Sequence, residues 1–126
     1  MHEREQKILI VDDEEVIVDI LKRRFERMGF SVVTALDGLE GIDVLKKENI
    51  DLVLCDLKMP RGVTGLDVMN VARQQNPEAR FVAMSGHLFS DASIKDMRNC
   101  GATLFFKKPF PSLSQVTQQI ADLMVR

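Results

Sequence analysis

Five short apolar runs, separated by longer amphipathic stretches, constrain the fold of this chain more than any other feature. The runs are KILIV (7–11), SVVTA (31–35), LVLC (52–55), FVAM (81–84) and TLFF (103–106). Three are almost wholly apolar instead of alternating, as strands covered on both faces must be. The intervening segments repeat their apolar residues at helical spacing. Val16, Ile17, Ile20, Leu21, Phe25 and Met28 mark a first helix, stopped by Gly29. Further helices are expected at 38–48, with Ile42 and Leu45 inward, at 66–75, at 90–99 before Gly101, and at 113–125. Strict alternation with crossover-length segments predicts an α/β domain, a doubly wound five-stranded parallel sheet with five helices.

Length and charge narrow the function classes. A chain of 126 residues is expected to form one domain spanning 1–126, with no output domain after the last helix. A net charge of -2 argues against direct nucleic-acid binding, which needs a clustered basic excess. No apolar run is long enough for a membrane span, and the charged start MHEREQK is unlike a secretory signal. Cys55 and Cys100 have neither disulfide nor metal spacing, so reduced thiols and a cytoplasmic location are expected.

In a sheet of this kind ligands bind beyond the carboxyl ends of the strands. The first run is followed by Asp12, Asp13, Glu14 and Glu15, the third by Asp56, the fourth by Ser85, and the fifth by Lys107 and Lys108. Singly, each has a plain structural explanation: a helix cap, a loop hydroxyl, a solvated strand end. Together they gather carboxylates, a hydroxyl and an ammonium at one rim. Hard carboxylate oxygens suit Mg²⁺ (or Mn²⁺), a hydroxyl can bond a phosphoryl oxygen, and a lysine can neutralise charge during transfer. Asp56 is then the nucleophile that becomes an acyl phosphate.

The motifs ILIVDDE (8–14), DLKMP (56–60), MSG (84–86) and KKPF (107–110) resemble, in order and position, the receiver domain of two-component response regulators. The resemblance extends over essentially the whole chain and implies the flavodoxin-like receiver topology of chemotaxis regulators. It implies Asp56 as phosphoacceptor, Asp12, Asp13 and Asp56 as Mg²⁺ ligands together with the backbone carbonyl of Lys58, and Ser85 and Lys108 as phosphoryl contacts. Phe105 matches the aromatic switch position paired with Ser85, and the Lys108–Pro109 bond is expected to be cis. The implied partner is a sensor histidine kinase or histidine phosphotransfer protein, with an output that the sequence does not name. Phosphorylation would reshape the face of the fourth helix, fifth strand and fifth helix, and a phosphorylation-dependent dimer is compatible with that. Lys58 and His87, each two residues past a site residue, flank the path of hydrolytic water in the family and are candidates for tuning phosphoryl lifetime.

One departure concerns the loop after Asp56. PRGVTGL is one residue longer than the usual family spacing, with Thr64 where an acid often sits and Gly62 placed to relieve the backbone. Two other readings compete. One is a degenerate receiver that binds partners without phosphorylation, against which the intact set Asp12, Asp13, Asp56, Ser85 and Lys108 argues. The other is a phosphatase with an aspartyl-phosphate intermediate, but Lys58 stands where such enzymes carry a second aspartate. A flavin carrier is further off, because no hydroxyl- and glycine-rich phosphate loop follows the first strand.

Overall fold

The computed structural model describes residues 5–59, 62–86 and 101–124. Five strands, β1 (Lys7–Val11), β2 (Ser31–Ala35), β3 (Leu52–Asp56), β4 (Arg80–Ser85) and β5 (Ala102–Lys107), form one parallel sheet in the order β2-β1-β3-β4-β5. The helices described are α1 (Glu15–Arg27), α2 (Gly38–Lys47), α3 (Gly65–Gln75) and α4 (Leu113–Met124). The helix expected at 90–99 lies outside the described residues, as do His87 and Cys100.

The continuous apolar character of the strands follows from a core on each side. Leu9, Val11, Val53, Cys55, Phe81 and Ala83 point to one face, under α2 and α3. Ile8, Ile10, Leu52, Leu54, Val82 and Met84 point to the other, where α1 and α4 supply Val18, Leu21, Phe25, Val116 and Ile120. The central strand β3 is buried along its full length. Each such side chain contributes about 1.5–3 kcal/mol on burial, so the sheet is a rigid platform for whatever its ends carry.

One helix is rotated relative to the sequence expectation. Val16 and Met28 are exposed, and the buried stripe of α1 is Val18, Leu21 and Phe25. Val16 precedes Val18 by two residues, about 200° around the helix, so both cannot face the sheet. Met28 is the C-cap residue and Gly29 leaves the helix at φ 101°.

The order β2-β1-β3 places the topological switch between β1 and the central strand β3. Connections leave in opposite directions there, opening a crevice at the carboxyl ends of these two strands. Asp12 directly follows β1 and Asp56 ends β3.

Candidate functional site

Registry brings the site residues together. Val11 pairs with Cys55 and Asp56 with Met84, while Ser85 pairs with Lys107. The strand ends therefore finish within a residue of one another. Beyond β5 the Lys108 amide donates to the Ser85 carbonyl at 2.7 Å, extending the ladder, and Lys108–Pro109 is cis as expected.

Lys108 is the centre of the cluster. Its Nζ donates to Asp12 Oδ2 at 2.8 Å and to Asp56 Oδ2 at 3.0 Å, and it forms a third ion pair with Glu14. Asp12 is fully buried, Asp56 nearly so, and the Lys108 side chain is only 9% exposed. The remaining carboxylate oxygens are held by the backbone. Asp12 Oδ1 accepts the Glu14 amide and Asp56 Oδ1 accepts the Lys58 amide, both at 3.0 Å. Neither carboxylate can rotate freely, so both present fixed charge.

Burial raises the Asp12 pKa above its ordinary value, although the hydrogen bonds from Lys108 and the Glu14 amide oppose the rise. For Lys108 burial works against the charge, yet the hydrogen bonds to Asp12, Glu14 and Asp56 outweigh it and move its pKa up. Cys55, buried directly before Asp56, has its thiol pushed up by burial and by the two carboxylate charges. It is an inert core thiol whose Sγ–H rests on the Asp56 carbonyl.

Asp12, Asp13 and Asp56 each bring a carboxylate oxygen within 4.8 Å of the others, with Asp13 exposed. Three hard oxygens with one solvent-facing side suit a divalent cation that keeps several waters, so this donor set fits Mg²⁺ or Mn²⁺. Ser85 is completely buried at the end of β4. Phe105 is half-buried on β5 and packs toward the α2/α3 core. Lys58 is exposed, with its backbone tied to Asp56 through its amide. His87 is outside the described residues.

Two features of the site were not read from the sequence. Glu14 is drawn into the Lys108 cluster from a run of four acids. Thr64, seen in the sequence only as a replacement for an acid, is the N-cap of α3 and forms a reciprocal capping box with Asp67. The T-x-x-D spacing carries that signal. Gly65 follows it for a steric reason: a Cβ there would lie 2.7 Å from Leu57 Cα and 2.9 Å from the Asp56 carbonyl. The start of α3 is thus pressed against the chain that leaves Asp56. Gly62, at φ 78°, has the left-handed backbone expected in the lengthened loop.

Comparison with known proteins agrees with this geometry. Residues 8–121 match the family model of the response regulator receiver domain. Sporulation initiation phosphotransferase F of Bacillus subtilis is 34% identical over 105 residues, covering 83% of this chain and 83% of that protein. Response regulator SaeR of Staphylococcus aureus is 34% identical over 119 residues, 94% of this chain and 50% of that protein, so the chain spans half its length. A CheY-like receiver domain from Methanospirillum hungatei superposes with a TM-score of 0.85 at 26% identity, covering 96% of this chain and 94% of that one. TrrA of Thermotoga maritima, solved in complex with Mg²⁺ and BeF, gives a TM-score of 0.77 at 27% identity, covering 94% and 98%. Among the described residues no helix is long and apolar enough to cross a membrane.

Proposed function

The chain belongs to the response regulator receiver domain family, and on that premise we propose that it accepts a phosphoryl group on Asp56 from a phosphohistidine of a partner protein. The observation that carries this reading is the Lys108 ammonium bound at once to Asp12 and Asp56, beside the Asp12, Asp13 and Asp56 oxygen cluster. Receivers of this family are signalling domains that work with histidine kinases or phosphotransfer proteins, and either is the donor we propose. We read residues 1–126 as one receiver domain.

In the proposed reaction an Asp56 carboxylate oxygen forms a bond to phosphorus as the P–N bond of the donor breaks. The bonding pair leaves on the imidazole, whose other nitrogen carries a proton, so the donor ends as a neutral histidine. Asp12, Asp13, Asp56 and the Lys58 carbonyl would hold Mg²⁺ (or Mn²⁺), which supplies charge neutralisation for the incoming phosphoryl oxygens when bound. Lys108 supplies the fixed positive charge of the chain itself. Ser85 is then the hydroxyl that bonds the phosphoryl group. Phe105 would move into the space that Ser85 vacates, shifting the population toward a second state of the face around β5 and α4, where a partner or a second copy binds.

Support for the receiver reading over the phosphatase alternative comes from Lys58, which offers no carboxylate two residues after Asp56. The test is mass spectrometry after incubation with Mg²⁺ and acetyl phosphate. One added phosphate on Asp56 is expected, absent in Asp56→Asn; modification elsewhere, or none, would remove the assignment. Following its loss after donor removal in Lys58→Ala and His87→Ala reads the tuning role, and unchanged rates in both would eliminate it.

A further inference from the structure

A lysine ammonium has three N–H donors. In this protein two of them donate hydrogen bonds, to Asp12 and Asp56, and the ammonium also forms an ion pair with Glu14. A phosphoryl oxygen entering beside Asp56 must compete with these carboxylates for Lys108.

The three are not equally able to leave. Asp12 is fully buried and its second oxygen holds the Glu14 amide, so it has no water to move into. Asp56 is the acceptor itself, and its other oxygen is held by the Lys58 amide. The Glu14 side chain is 57% exposed, and its carboxylate makes no helix-capping bond. Lys108 is its one ion-pair partner among the described residues. Glu14 and Lys108 also share the wall of an open cleft of about 390 Å³, between the start of α1 and the turn at Pro109 and Phe110. A released Glu14 carboxylate would therefore pass into solvent at small cost.

We propose that Glu14 is a displaceable counter-ion of Lys108, which pairs with the ammonium in the unphosphorylated protein and yields it to the entering phosphoryl group. Glu14 is thus a positioning residue that slows phosphoryl uptake by keeping Lys108 occupied. This rests on the phosphoacceptor reading of Asp56 above. Asp13 and Glu15, its neighbours in sequence, make no ion pair with Lys108, which separates the contact from the general acidity of this segment.

The experiment compares initial rates of phosphate incorporation from acetyl phosphate at saturating Mg²⁺. The wild type, Glu14→Gln, Glu14→Asp and Glu15→Gln are followed by intact-protein mass spectrometry, with folding checked by circular dichroism. Glutamine lacks the charge and aspartate is one methylene short of the contact. Both are expected to take up phosphate about threefold faster than wild type, as loss of an exposed ion pair allows. Glu15→Gln is expected to match the wild type. The gain should shrink in 1 M salt, where such pairs are screened, a dependence that a structural role would not produce. Glu14 variants no faster than wild type, or an equal gain in Glu15→Gln, would overturn the proposal while Asp56 phosphorylation in the wild type stood. A folded wild type that takes up no phosphate on Asp56 would overturn both readings.

Discussion

The two ends of the sheet are both polar, and they use their polar groups in opposite ways. At the amino end, side chains close backbone groups that the strand starts leave open. Asp51 accepts the Lys7 amide at 2.7 Å, Asn76 donates to the Ile50 carbonyl at 2.6 Å, and Gln6 donates to the Met124 carbonyl at 3.0 Å. Both signs of charge are present there, with Lys7 paired to Glu48 and with Asp51, Glu78 and Arg80 lining a polar cleft. At the carboxyl end Asp12, Glu14 and Asp56 share the cation Lys108, Asp13 lies beside Asp12 and Asp56, and Asp12 and Asp56 are buried. The first arrangement is self-sufficient. The second holds an excess of negative charge that a divalent cation would balance. Polar groups that complete the fold and polar groups that await a ligand are distinguished here by whether their charges and hydrogen bonds already close.

The largest effect is expected from removing Lys108, the cation that the buried acids share. In Lys108→Met, Asp12 and Asp56 lose their shared partner in a site with little access to water. Loss of about 3 kcal/mol of stability is expected in urea unfolding with a chelator present, because removal of one partner strands buried charge. Added Mg²⁺ should recover part of it by replacing the lost positive charge, while phosphate uptake stays low. A loss below 1 kcal/mol, or one that Mg²⁺ leaves untouched, would mean that the carboxyl end is as self-contained as the amino end.

Much of this contrast is legible in the sequence, and the reason is geometric. Strand ends are marked where apolar runs stop, so Asp12, Asp56, Ser85 and Lys108 could be assigned to one rim from β/α alternation alone. The relation of one strand end to another then follows from parallel pairing. Rotation about a helix axis is harder to read. The segment 16–28 carries more apolar residues than one face can hold, and only packing against the sheet selects Val18 over Val16. The same uncertainty hides Glu14, because which of four consecutive acids turns toward Lys108 depends on where α1 begins. Gly65 is a third case. Its need for a bare Cα comes from the Asp56 carbonyl and Leu57, contacts between segments that periodicity does not predict. The rim is legible from motif order, whereas the roles of Glu14 and of the Thr64–Asp67 capping box emerge only from packing.

A smaller effect of opposite sign is expected at Asp12. Burial raises its carboxyl pKa above the ordinary aspartate value, so the folded chain holds this proton more tightly than the unfolded chain does. Such a group contributes stability that is fully present below its unfolded pKa and is lost as pH rises through its folded pKa. Asp12→Asn is therefore expected to be more stable than the wild type at pH 7 without divalent cations, with the advantage fading as pH falls toward 4. Millimolar Mg²⁺ should narrow the gap at pH 7, since only the wild type retains the full donor set. Urea unfolding at the two pH values checks this. A wild type as stable as the variant at pH 7 would show that Asp12, like Asp51 at the other end, is paid in full by its hydrogen bonds.

The smallest change is expected at the amino end, in Asn76→Ala. Its side-chain amide bridges the Ile50 carbonyl and Asn49 Oδ1, joining the end of α3 to the start of β3. Losing these bonds should cost about 1 kcal/mol, the ordinary net worth of a hydrogen bond whose acceptor is left partly buried. The site end shares none of these partners, and the rigid buried strand β3 separates the two. Stability should therefore fall while the initial rate of phosphate uptake on Asp56 stays at the wild-type value. A fall in both would mean that strain at the start of β3 reaches its last residue, and that the ends of the sheet are one mechanical unit and not two independent polar regions.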